Sequence, residues 1–190
     1  MGSTPIRFRH RSDMAKGDRQ AKARGRSSRR GRTLVAAAAV VLLLGVVGYF
    51  AYRAQASLPG TQFPDQGNLH IASPESPHEP YNSDPPTSGP HLPYIAPWGV
   101  HTRPIPRELQ VHNLEDGGVV VQYNCECPDL AAKLKAVVQR YEKNVILAPY
   151  PGMTPTIALT AWTRLDVLEE FDEGRIKRFI EAYRGIDHHK

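Results

Sequence analysis

The chain reads as a small α/β or α+β domain: a mixed sheet, two helices and a proline-rich loop layer behind one N-terminal transmembrane helix. Three observations predict this. A charge-free apolar run from Thr33 to Tyr52 follows a basic tail. Prolines then crowd the stretch from Pro59 to Pro106. Beyond them, segments with a period of two alternate with segments of helical period.

The tail, residues 1–32, carries eleven Lys and Arg against only Asp13 and Asp18. From residue 54 onward, twelve bases face seventeen acids, so the basic character belongs to the tail. Phosphate binding needs positive charge on the folded surface, and no nucleic-acid partner is expected. The run 33–52 has the ~20 residues needed to cross a hydrocarbon core. Tyr49, Phe50 and Tyr52 at its far end suit a membrane interface. Membrane lipid is therefore the expected partner of residues 33–52, and anionic lipid headgroups that of the tail. An arginine excess before the span holds the N-terminus in the cytoplasm, which predicts a single-pass inner-membrane protein with an extracytoplasmic C-terminal domain. Ala54-Gln55-Ala56 resembles a signal-peptidase site and Arg29-Arg30 a twin-arginine signal. The apolar run exceeds a signal core of about 7–15 residues, and an uncleaved anchor is the expectation.

Residues 53–69 read as a linker and residues 70–190 as the extracytoplasmic domain. Proline lacks an amide donor and fixes φ, which disfavours helix or central strand before Pro106. Tyr81, Tyr94 and Trp98 are interleaved with His70, His78, His91 and His101, so Tyr81 to Pro106 reads as an ordered loop layer. Glu108–His112 and Gly118–Tyr123 are predicted strands joined by a Leu-Glu-Asp-Gly-Gly turn. Leu130, Leu134, Val137, Val138 and Tyr141 share one helical face, with Pro128 suited to the first turn. Asn144–Ala148 and Thr156–Trp162 follow as strands. Asp172 caps a last helix whose Ile176, Phe179, Ile180 and Tyr183 share a face, and Gly185 stops it.

Two groups of residues could carry chemistry. Cys125 and Cys127 are the only cysteines, and in an oxidising compartment they can form a disulfide. They could equally serve as soft thiolate ligands for Cu(I) or zinc, or exchange disulfides. A strand entering a Cys pair at a helix start, then a strand after Thr154-Pro155, then a last helix, resembles the thioredoxin layout, with Cys-x-Cys in place of Cys-x-x-Cys. His112-Asn-Leu-Glu115-Asp116 is one residue from the His-x-x-Glu-His pattern of zinc hydrolases. That chemistry wants a helix, whereas Gly117-Gly118 and the following valines suggest a hairpin with hydrogen-bonding acids.

The stretches Pro85-Pro-Thr-Ser-Gly-Pro-His91 and Val111-His112-Asn-Leu-Glu115 resemble a bacterial membrane-anchored domain family of unknown function. Its members carry a PPT-[SG]-G-x-H motif followed by VH-x-LEHG. The resemblance implies a common fold, extracytoplasmic placement, and a shared polar set of His70, His91, His112 and Glu115. Asp116 stands where that family has a second histidine.

The leading functional expectation is transition-metal binding, copper favoured over zinc, in a binding or transfer role with a metal-donor or acceptor protein. His91 and His112 are the expected ligands with Cys125 and Cys127, Glu115 orients an imidazole, and His70 and His78 are further candidates. No nucleophile–base pair stands out, which argues against catalysis. The alternatives are a thiol–disulfide enzyme, a metal-dependent hydrolase using His112 and Glu115, and a purely structural assembly partner.

Overall fold

A computed structural model describes residues 34–50, 52–53 and 58–189. The basic tail, Thr33 and the Ala54-Gln55-Ala56 stretch lie outside the described residues. The chain divides into two units, Met1–Ser57 and Leu58–Lys190. In the first, residues 34–50 form helix α1, apolar and exposed all round. Among the described residues no helix is long and apolar enough to cross a membrane.

The second unit is α+β. Its elements are β1 (Thr61–Gln62), β2 (Gly99–Val100), α2 (Arg107–Glu115), β3 (Val119–Tyr123), α3 (Pro128–Val138), β4 (Val145–Pro149), β5 (Ile157–Ala161), β6 (Arg164–Leu168) and α4 (Glu173–Tyr183). The sheet order is β1-β6-β5-β3-β4-β2. β3 and β2 run parallel to β4, whereas β5 is antiparallel to β3 and to β6. β1, in the stretch expected as linker, pairs with β6.

Central strands covered on both faces need apolar residues at every position, which is why β3 and β4 read as continuous runs. Alternate residues serve different cores. Val119, Val121, Val145, Leu147, Ile157 and Leu159 meet Leu134 and Val137 of α3 and Ile176 and Phe179 of α4. Val120, Ile146 and Ala148 meet Val111 and Leu114 of α2, with Ala96, Ile105 and Trp162 from the loops. The proline-rich segment is thus part of the second core, as its aromatic content predicts. Pro128 opens α3, and the Asp172 side chain accepts a bond from the Arg175 amide at 2.9 Å to cap α4.

α2 departs most from expectation. Residues 108–112 are not a strand but the middle of α2, so this unit has three helices rather than two. Every residue from Gln110 to Glu115 is buried, so the helix lacks the polar stripe that reveals helical period. The Gly-Gly pair is its terminus rather than a hairpin turn. Gly117 has φ +73° and its amide donates to the Leu114 carbonyl at 3.1 Å. The Gly118 amide donates to the Asn113 carbonyl at 2.7 Å, and a Cβ there would lie 2.7 Å from the Trp98 ring.

Candidate metal centre

The helical register of α2 puts His112 and Glu115, three residues apart, on one face. The loop layer supplies the rest. His70 and His91 form a parallel bridge: the Ile71 amide donates to the His91 carbonyl at 2.8 Å, and the His91 amide to the Leu69 carbonyl at 2.9 Å. The Leu92 amide donates to the Glu108 carbonyl at 3.0 Å, tying this bridge to α2. Asn113, on the other side of the helix, clamps Ala96 with two bonds of 2.9 Å to its amide and carbonyl. Thr87 of the Pro-Pro-Thr-Ser-Gly-Pro-His stretch accepts from the Thr163 amide at 2.8 Å, which seats the loop beside Trp162.

One ligand atom from each of His70, His91, His112 and Glu115 lies within 4.8 Å of all the others. Glu115 Oε2 is the centre of the group. It stands 2.9 Å from His91 Nε2, 3.7 Å from His70 Nε2 and 3.8 Å from His112 Nδ1. His91 and Glu115 have no solvent exposure, while His70 is half exposed at the rim.

The tautomer of His91 is set by its other nitrogen. The Gly89 carbonyl, 2.7 Å from Nδ1, can only accept, so Nδ1 carries a proton and donates it. The remaining electron pair on Nε2 then faces a carboxylate oxygen. Two such electron-rich atoms at 2.9 Å repel unless a cation, either a proton or a metal ion, lies with them. A backbone carbonyl holding the far nitrogen is also the usual way a ligating imidazole is oriented. His112 Nδ1 and Glu115 Oε1 are both buried without a hydrogen-bond partner, a costly arrangement that a bound cation relieves.

Protonation suits ligation. Burial pushes the His112 imidazole below its ordinary 6.5, helped by His91 and His70 and opposed by Asp116 and Glu115. Burial alone would raise the Glu115 carboxyl, but the Asn68 side chain and His91 outweigh it and hold it below the usual range. A neutral imidazole and an ionised carboxylate are the forms that bind metal.

Four of the seven sequence-selected residues therefore converge: His70, His91, His112 and Glu115. Glu115 sits among the candidate ligands themselves rather than behind one. The other three lie elsewhere. Cys125 and Cys127 are bonded to each other as a disulfide before α3, Cα to Cα 5.3 Å, so neither offers a free thiolate. His78 Nδ1 is held 2.7 Å from the Glu79 carbonyl oxygen, with its other nitrogen 3.9 Å from Glu108.

Sequence reasoning missed His189. After α4 the chain returns along the end of α2, the Gly185 amide donating to the Gly117 carbonyl at 2.7 Å and the His188 amide to the Glu115 carbonyl at 2.9 Å. His188 stacks on Trp162 at 5.8 Å. His189 Nε2 arrives 3.4 Å from Glu115 Oε2 and 3.5 Å from Asp116 Oδ1. The available signal was Asp187-His188-His189, one residue beyond the Gly185 stop.

The chain matches no curated protein and no solved structure. Residues 75–190, which include α2, both cores and every candidate ligand except His70, match a family described as protein of unknown function (DUF3105). The chain belongs to that family.

Proposed function

We propose that the chain is a single-pass inner-membrane protein whose extracytoplasmic domain binds a divalent transition-metal ion, in a binding or transfer role, through His70, His91, His112 and Glu115. The observation that carries this is the convergence of three imidazole nitrogens and one buried carboxylate oxygen within 4.8 Å. Nitrogen-rich sets suit Cu(II), Zn(II), Ni(II) and Fe(II), and the ordinary affinity order puts Cu(II) above Zn(II). With the two sulfurs joined to each other, no free thiolate remains among the described residues to select Cu(I). The anchor reading rests on the charge-free sequence 33–52 and on α1 being apolar all round. The exposed edge of His70 gives a donor or acceptor protein its point of access.

Hydrolysis fits less well. α2 does supply the helix that a His-x-x-Glu pair wants, but Glu115 lies against His91 as a ligand would rather than standing free as the base. Equilibrium titration of the full-length chain in mild detergent tests the main reading. Cu(II) and Zn(II) should bind with sub-micromolar affinity. His91→Ala and Glu115→Gln should each weaken binding by more than the roughly 10–100-fold typical of losing an orienting partner. Failure to take up either ion better than micromolar sinks it.

A second reading has one specific support. The order β3, Cys pair, α3, β4, β5, β6, α4, with β3 between β4 and β5, resembles the thioredoxin layout, and the disulfide is half exposed at the start of α3. Thiol–disulfide exchange requires a Cys125–Cys127 reduction potential in the range of about −270 to −120 mV spanned by known exchange proteins. A value outside it counts against this role.

A further inference from the structure

The His112 ring has two faces of ligand. Its Nδ1 is turned toward Glu115, 3.8 Å away, and belongs to the buried group with His70 and His91. Its Nε2 is 3.8 Å from Asp116 Oδ1 and belongs to a second group, His112, Asp116 and His189, whose ligand atoms also lie within 4.8 Å of one another. We propose that this second group is an outer cation site, sharing the His112 imidazole with the inner one, so that the centre holds two divalent transition-metal ions. The proposal rests on the inner-site reading above.

His189 is prepared for the role in the same way as His91. Its backbone amide and its Nδ1 both lie close to Asp187 Oδ1, at 2.8 and 2.7 Å, so the ring is held by a carboxylate and Nδ1 donates. Nε2 is thereby turned toward two carboxylate oxygens, Glu115 Oε2 at 3.4 Å and Asp116 Oδ1 at 3.5 Å. A cation, either the ring's own second proton or a metal ion, must lie with these three converging atoms, as in the inner group.

The two sites differ in character. The inner one offers four ligands, with His91 and Glu115 sealed from solvent. The outer one offers three, from half-exposed Asp116 and His189 and the almost buried His112, and keeps a position open to water. Closed four-ligand sites hold an ion, whereas three-ligand sites exchange ligands and take up solvent. A neutral imidazole has one electron pair and an imidazolate has two. Filling both sites at once therefore takes the ring proton from His112, and that proton leaves to solvent as the second ion binds.

Zn(II) alone, added to the full-length chain in detergent, tests this by stoichiometry. Two equivalents should bind to the unaltered chain, the second more weakly and with a proton released. Asp116→Asn combined with His189→Gln should bind one equivalent, with the tighter affinity unchanged within threefold. His189→Gln alone should weaken only the second equivalent, and circular dichroism of each variant should match the unaltered chain. One equivalent in the unaltered chain, or two in the double variant, overturns the outer site and leaves the inner one standing. No uptake at all by the unaltered chain overturns both.

Discussion

Substituting Gly117 by alanine separates the two sites without touching a ligand. The residue is left-handed, φ +73°, a region that costs a side-chain-bearing residue roughly 1–2 kcal/mol. A Cβ there would also stand 2.7 Å from the Ile186 amide nitrogen and 2.8 Å from its carbonyl carbon and oxygen. These are backbone atoms of the returning segment and cannot turn aside as a side chain would. The segment must lift, which breaks the Gly185-to-Gly117 and His188-to-Glu115 bonds, each worth about 0.5–1.5 kcal/mol. Detachment thus costs about 1–3 kcal/mol, to which the left-handed penalty adds for a total of roughly 2–5 kcal/mol. Urea denaturation reads the total, and hydrogen exchange reads the cause: the Gly185 and His188 amides should lose protection while those of β3 and β4 keep theirs. Inner-site Zn(II) affinity should persist and the second equivalent should disappear. A Gly117→Ala protein in which the His188 amide remains as protected as before would show that the returning segment does not lift.

Acid should destabilise the domain through two groups. The His112 pKa is lowered in the folded state, so its contribution is complete above the ordinary 6.5 and is lost as pH falls toward the lower folded value. Glu115 is also lowered, so its contribution is present above the ordinary carboxylate range and lost as pH falls through the folded value. Urea midpoints should therefore decline below neutrality, and His112→Gln should flatten the part near 6.5. Leu114→Ala, at a site with no solvent exposure, should cost about 2–5 kcal/mol in urea denaturation by opening a cavity behind the ligands. Reducing the Cys125–Cys127 bond, which closes a very short loop, should cost no more than about 1.6 kcal/mol on chain-entropy grounds, read by urea denaturation.

Where a segment buries one face, its period was legible. α3 and α4 could be read from Leu134, Val137, Ile176 and Phe179, and β5 from the alternation of Ile157, Leu159 and Ala161. α2 could not, because Gln110 to Glu115 are buried on all sides and burial, not amphipathy, decides their identity. β6 was hidden by charge: Arg164 and Asp166 interrupt its apolar pattern, yet both are buried, and Asp166 pairs with Arg175 of α4. His70, His91, His112 and Glu115 were singled out from residue type and motif, but their meeting point depends on a bridge between residues 70 and 91 that spacing does not encode. His189 depends on the chain turning back at Gly185 along Gly117, a tertiary contact made possible by a residue that read as a hairpin turn. Cys125 and Cys127 illustrate the opposite case. Their spacing allowed a metal, an exchange or a bridge, and only the position of the sulfurs distinguishes them.

In the proposed centre an ion is held by three imidazoles and Glu115, with no sulfur. X-ray absorption at the zinc edge, on full-length chain loaded with a single equivalent, measures this directly. Three imidazoles and Glu115 give a nitrogen and oxygen shell at about 2.0–2.1 Å with the multiple-scattering pattern of imidazole, which should weaken in His91→Ala. A sulfur shell near 2.3 Å, or a spectrum unchanged by His91→Ala, would contradict it.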